Sequence, residues 1–133
     1  MQNPSDGKSA LGLDPNVAAG LCYLPLCAIS LIMSIIVLVT DKTNKLPRFH
    51  AMQSLLLHGV AVVGWIVCII IIFAITMMAA AMNMPSLSFL AVLVWAVFLL
   101  GLLAAIVISC IKAFMGQMFK LPLIGNMADS WSN

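Results

Sequence analysis

The sequence predicts an all-α polytopic membrane protein: three transmembrane helices, an amphipathic helical lead-in before the second, and a short interfacial C-terminal segment. A hydrophobic excess and two charge-free stretches carry that expectation. Hydrophobic residues make up 64% of the 133 positions, against about 45–50% in soluble domains. Neither residues 15–40 nor residues 49–111 contain an Asp, Glu, Lys or Arg. Such a composition excludes a soluble enzyme, a disordered chain and a disulfide scaffold. A net charge of +2 is also too small to draw a nucleic acid, so none is expected as a partner.

The elements follow in order. Residues 1–13 read as a flexible N-terminal tail, 14–112 as a transmembrane helical domain with spans at 15–40, 57–82 and 86–112, and 113–133 as a cytoplasmic interfacial tail. The first span opens at Asp14-Pro15, a side chain suited to capping followed by a proline where its missing N–H costs nothing. It stops at Asp41-Lys42. Pro25 removes one backbone hydrogen bond inside it, so a kink is expected there, with the Leu21 carbonyl needing another partner. Tyr23 is placed near the outer interface. No basic n-region or small-residue cleavage site precedes the span, which is therefore expected to be retained.

The second apolar stretch is too long for one crossing, and Asn83-Met84-Pro85-Ser86 divides it. Val60–Ala79 holds eleven Val, Ile or Phe residues, which favour insertion by roughly 3–7 kcal/mol with no charge opposing. Leu87–Ile111 repeats the pattern, and the short link makes the two spans an antiparallel hairpin. The lead-in from Pro47 to His58 places His50, Ser54 and His58 on one helical face with Gln53 beside them, and Phe49, Met52, Leu55 and Leu56 on the other. Gly59 and Gly64 are expected bend points.

After Lys112, Gly116 and Pro122 break helical continuity. Ile124, Met127, Ala128 and Trp131 then follow the spacing of a short apolar face, expected to lie on the cytoplasmic membrane surface. Orientation follows from the basic residues. Lys42, Lys45, Arg48, Lys112 and Lys120 flank the cytoplasmic side of this arrangement, with Lys8 alone on the other, so the expectation is N-terminus outside and C-terminus cytoplasmic in a cell inner membrane.

Chemistry has little to work with. The cores of the spans carry no ionisable carboxylate, lysine or arginine, the chain has no glutamate, and no phosphate loop, zinc-protease motif or nucleophile elbow occurs. No enzyme activity, cofactor or metal is expected. Cys22, Cys27, Cys68 and Cys110 lack metal or redox spacing and read as small apolar residues. His50 and His58 alone make an incomplete metal set. Arg48, His50, Gln53, Ser54 and His58 read instead as a polar rim contacting a partner or a lipid headgroup. Gly101, Ala105, Ser109 and Ala113 recur every fourth residue, a ridge that admits another backbone. Lipid, copies of the same chain or other membrane proteins are the expected partners.

Asn16-x-Ala18-Ala19-x-x-Cys22-Tyr23, Arg48-Phe49-His50-Ala51-x-Gln53-Ser54 and Leu121-Pro122-Leu123-Ile124-Gly125-x-x-Ala128 together resemble small prokaryotic membrane proteins of the Tic-twenty-like superfamily. They are also similar to magnetosome membrane proteins of the MamF kind. That resemblance implies a helical membrane protein related to a chloroplast inner-envelope import component, and it singles out Arg48, His50, Gln53 and Ser54. The leading expectation is a non-enzymatic scaffold or assembly subunit. The alternative is a subunit of a protein-translocation or small-solute pore lined by Ser30, Ser34, Thr76 and Ser109.

Overall fold

A computed structural model describes residues 7–24, 27–42 and 44–132. Among these every regular element is helical: α1 (Pro15–Leu21), α2 (Cys27–Thr40), α3 (Lys45–Ala81), a 3₁₀ turn (Pro85–Leu87), α4 (Ser88–Phe114) and α5 (Gly125–Trp131). Two helices are long and apolar enough to cross a membrane, Lys45–Ala81 and the run Pro85–Phe114, with a shorter apolar helix before them.

The first apolar segment is two helices, not one. α1 begins with proline at its first helical position, but the Asp14 side chain caps nothing; its carbonyl instead accepts the Ala18 N–H at 3.0 Å. The helix then closes on short-range bonds, Cys22 N–H to Ala19 O and Tyr23 N–H to Gly20 O. The Leu21 carbonyl takes the Leu24 N–H at 3.4 Å. The kink expected at Pro25 falls outside the described residues. α2 has 14 residues, about 21 Å of helix against a hydrocarbon core of about 30 Å.

The two flanks of this segment also meet. The Ala10 N–H donates to Asp41 Oδ2 at 3.3 Å, and Asn44 Nδ2 donates to the Lys8 carbonyl at 3.2 Å. Lys8 and Ala10 therefore lie beside Asp41 and Asn44. Asp41 supplies the physical reason. It is 1% exposed, so its carboxylate needs donors, and it draws them from the N-terminal segment and from Asn44.

α3 runs unbroken for 37 residues through Gly59 and Gly64, so the lead-in and the second span are one helix of about 56 Å. It ends at Asn83 in the left-handed conformation, φ 54°. There Met84 N–H bonds Ala79 O at 2.9 Å and Asn83 N–H bonds Ala80 O at 3.2 Å, satisfying two carbonyls left over by the helix. α4 ends the same way with glycine in place of asparagine. Gly116 sits at φ 71°, with Gln117 N–H on Lys112 O and Gly116 N–H on Ala113 O.

The chain packs as two units, Met1–His58 with Ala105–Asn133, and Gly59–Ala104. The second is an antiparallel hairpin. Trp65 and Trp95 meet edge to face at 4.7 Å, Phe98 lies beside Trp95, and the small side chains of Cys68, Ala79 and Ala91 are buried. Only 6% of each span's apolar window is buried. Val62, Val63, Ile70, Phe73, Val92, Val97 and Leu100 all face outward, a surface that water would not tolerate and lipid would.

The first unit has a true interior: Ala18, Ala19, Tyr23, Val37, Leu46, Phe49, Leu57, Ala113, Leu121 and Ala128 are buried. α5 turns only part of its expected apolar face inward. Ile124 and Ala128 are buried, but Met127 and Trp131 are 41% and 56% exposed. Before it, Leu123 adopts φ 74°, a conformation costing an L-residue about 1–2 kcal/mol.

Candidate functional site: a polar clasp

The first turns of α3 carry the site. Positions 50, 53, 54 and 58 recur at helical spacing, so their side chains emerge on adjoining stripes. All four bond within the first unit. His50 and Gln53 are fully buried and Ser54 is 1% exposed.

Gln53 is the hub. Its Nε2 donates to the Tyr23 hydroxyl at 3.0 Å and to the Phe119 carbonyl at 3.2 Å, while its Oε1 accepts the Leu121 N–H at 3.2 Å. One amide thus joins α3, the turn after α1 and the C-terminal segment. His50 doubles the connection. Nε2 lies 3.1 Å from the Gln117 carbonyl and Nδ1 lies 3.3 Å from the Tyr23 hydroxyl. A carbonyl can only accept, so Nε2 carries the proton and Nδ1 accepts from Tyr23; the network assigns this tautomer. Tyr23 therefore receives from Gln53 and donates to His50.

Ser54 Oγ donates to the Cys22 carbonyl at 2.6 Å, giving that helix-terminal oxygen a partner. His58 Nδ1 donates to the Ser54 carbonyl at 2.8 Å, which leaves Nε2 to accept from Ser30 Oγ at 3.3 Å. Arg48 uses two arms of its guanidinium on backbone: Nε on the Ser132 carbonyl at 2.9 Å and an Nη on the Asp41 carbonyl at 3.0 Å. Asp41 and the end of α5 are thereby tied to one side chain.

Outside this core, Asp129 pairs with Lys120 at 2.8 Å and Lys45 at 3.2 Å. Hydrogen bonds from Lys120 and then Lys45 hold its carboxyl below the usual carboxylate range.

The sequence located the polar face of α3 but not its partners. Tyr23, expected near the outer interface, is 2% exposed and central to the clasp. It is the chain's one tyrosine, and a lone phenol close to an apolar segment's proline was the available signal. Gln117 and Phe119 contribute through backbone carbonyls, which no residue pattern marks. The four-residue ridge divides between the units. Ser109 and Ala113 are fully buried in the first, and Ala105 is half-buried. In the second, Gly101 is exposed, and a Cβ there would meet nothing within 4 Å.

Of the four hydroxyls considered for a pore lining, Ser30 meets His58, Ser109 is buried, and Ser34 and Thr76 turn to backbone. Ser34 Oγ donates to the Ser30 carbonyl at 2.7 Å, and Thr76 to Ile72 and Phe73 carbonyls at 2.9 Å. Cys22, Cys68 and Cys110 are free thiols. Among the described residues no three His, Cys, Asp or Glu side chains gather as a metal set.

The profile of a family described as "Magnetosome magnetite crystal formation protein family" (MamF_MmsF) matches residues 14–128, from the cap of α1 into α5. The chain belongs to this family. It is also 32% identical, over 95% of its length and 96% of the relative's, to the UPF0132 membrane protein MJ1443 of Methanocaldococcus jannaschii. A second protein of that organism, the UPF0132 membrane protein MJ1527, is 26% identical over 92% of this chain and 73% of its own. No solved structure matches. The match bears out the similarity to MamF-type proteins, and with these named relatives and its apolar helices the chain is a membrane protein.

Proposed function

We propose that the protein is a non-enzymatic membrane scaffold or assembly subunit, with its basic unit on the cytoplasmic face of an inner membrane. One observation carries this reading: the polar side chains in the first turns of α3 are consumed in binding one segment of the chain to another. Arg48, His50, Gln53 and Ser54 reach backbone and Tyr23. The clasp thus fixes Asp41, Asn44 and the segment 117–132 as a preset surface, and it is this surface, rather than the buried side chains, that meets a partner or headgroup.

The charge distribution supports the orientation. All six Lys and Arg residues belong to the unit Met1–His58 with Ala105–Asn133, and the hairpin Gly59–Ala104 has none. The positive-inside rule then puts both termini on the cytoplasmic side. Reporter fusions at each end test it: both active in the cytoplasm is the expected result, and a periplasmic N-terminus overturns it.

The family description names magnetite crystal formation. For this chain, direct contact with mineral through carboxylates has few groups to use: there are four Asp and no Glu, Asp41 is buried and Asp129 is paired with two lysines. Organising the membrane or its proteins fits better. The pore alternative rests on the resemblance to the Tic-twenty-like import component, and the backbone-bonded hydroxyls of Ser34 and Thr76 do not favour it. In-cell photocrosslinking from Met52 and Gly101 tests the scaffold. Capture of a second copy or another membrane protein supports it, and extraction as a strict monomer with nothing captured from either position overturns it.

A further inference from the structure

We propose that the C-terminal segment is a preset membrane foot, Leu123, Met127 and Trp131 entering the headgroup–acyl boundary of an anionic leaflet. This deepens the interfacial reading of the tail, rests on the chain being a membrane protein, and changes which residues touch lipid. The face expected from spacing included Ile124 and Ala128, both of which are buried within the protein. The surface left outside is Leu123 at 93% exposure, with Met127 and Trp131 one helical turn apart on α5.

Leu123 is held out rather than left loose. Its backbone is in the left-handed conformation, and the turn around it is pinned on both sides. Leu121 N–H is bonded to Gln53, and Gly125 N–H to the Leu121 carbonyl at 2.9 Å. Gly125 lies so close to Lys120 that a Cβ would stand 2.7 Å from that residue's Cα. A leucine kept in an unfavourable conformation with its side chain outside the protein has no intramolecular reason to be apolar.

Two observations choose lipid as the occupant. The last turns of α4, in the same unit, also carry exposed apolar side chains, Ile111, Phe114 and Met115 at 53%, 44% and 58% exposure. The surrounding charge is basic: Lys45 and Lys120 share the single carboxylate of Asp129, and Lys112, in the last turn of α4, donates to a neutral partner, Gln117 Oε1. Lysines around a Trp, Met and Leu set suit the interface of a membrane with negative headgroups.

The test uses the full chain, reconstituted in vesicles of phosphatidylcholine alone or mixed with phosphatidylglycerol. An environment-sensitive fluorescent amino acid is encoded at position 123 or, as the comparison site, at exposed Asn126. In phosphatidylglycerol vesicles the probe at 123 should be shielded from iodide by about threefold or more relative to 126, and quenched by lipids brominated near the headgroup. Equal iodide access at 123 and 126 overturns the proposal. So does shielding without bromolipid quenching, or shielding that vanishes at one copy per vesicle, since a protein contact then covers Leu123. Shielding unchanged in phosphatidylcholine alone overturns the anionic assignment. Alkaline-carbonate extraction of the same variants separates the failures: a chain that is not integrated sinks the membrane reading, whereas an integrated chain with position 123 in water sinks only the foot. Leu123→Gly keeps the turn while removing the anchor, and should raise tail proteolysis several-fold without releasing the protein from the membrane.

Discussion

The two units solve the same problem in opposite ways. In Gly59–Ala104 backbone polarity is satisfied within each helix, Thr76 returns to its own helix, and the outward surface is almost wholly apolar. In the other unit, helices of 7 and 14 residues cannot stand alone, and side chains distant in sequence hold them. Lipid contact serves where helices are long; a specific polar network serves where they are short. In a low-dielectric surround such a network is costly if any member is missing.

Breaking the hub should therefore have the largest effect. Gln53→Ala strands the Phe119 carbonyl and the Leu121 N–H and takes from the Tyr23 hydroxyl its donor, and should cost about 2–4 kcal/mol. Thr76→Val in the hairpin should cost under about 0.5 kcal/mol, because its hydroxyl only supplements helical carbonyls. Unfolding in mixed detergent micelles measures both; comparable losses would erase the contrast between the units. The next largest effect should be Gly125→Ala, which forces the Lys120 backbone aside for about 1–3 kcal/mol. The same unfolding assay checks it, together with faster proteolysis confined to residues after 116.

How far the sequence foretells this contrast depends on the kind of interaction. The hairpin is legible because solvent preference sums over many residues and a Met-Pro turn interrupts it. Polar positions of the clasp are legible as well, because His50, Gln53, Ser54 and His58 stand out against an apolar helix. Their partners are not. Gln53 acts on two backbone groups about 66–68 positions away, and a backbone carbonyl looks the same in every sequence. The first apolar segment shows a related limit: residues 15–40 have the composition of a crossing, but composition does not register that the Asp41 carboxylate accepts the Ala10 N–H. That long-range bond, not hydropathy, brings the flanks together.

Electrostatics at the edge of the clasp should matter less. Asp129→Asn removes the pairs with Lys45 and Lys120, whose side chains are 49% and 45% exposed, and should cost less than about 1 kcal/mol with screening by salt. The pH dependence has a definite sign. Because the folded pKa lies below the unfolded one, the contribution is present above the ordinary carboxylate range and is lost as pH falls through the depressed value. An acid titration of stability that is unchanged by Asp129→Asn would remove these pairs from the clasp.

The smallest effect on stability should come from the bare unit. Gly101→Leu places a side chain where a Cβ meets nothing within 4 Å, so the monomer's unfolding should shift by less than about 0.5 kcal/mol. If Gly101 serves to admit another backbone, the same change should abolish chemically cross-linked oligomers, since a leucine holds the partner helix away. Stability and assembly then separate in a single variant. A Gly101→Leu protein that is equally stable and equally cross-linked would show that this part of the ridge meets only lipid. Assembly would then have to run through the clasped unit, and the division of labour between the two units would move with it.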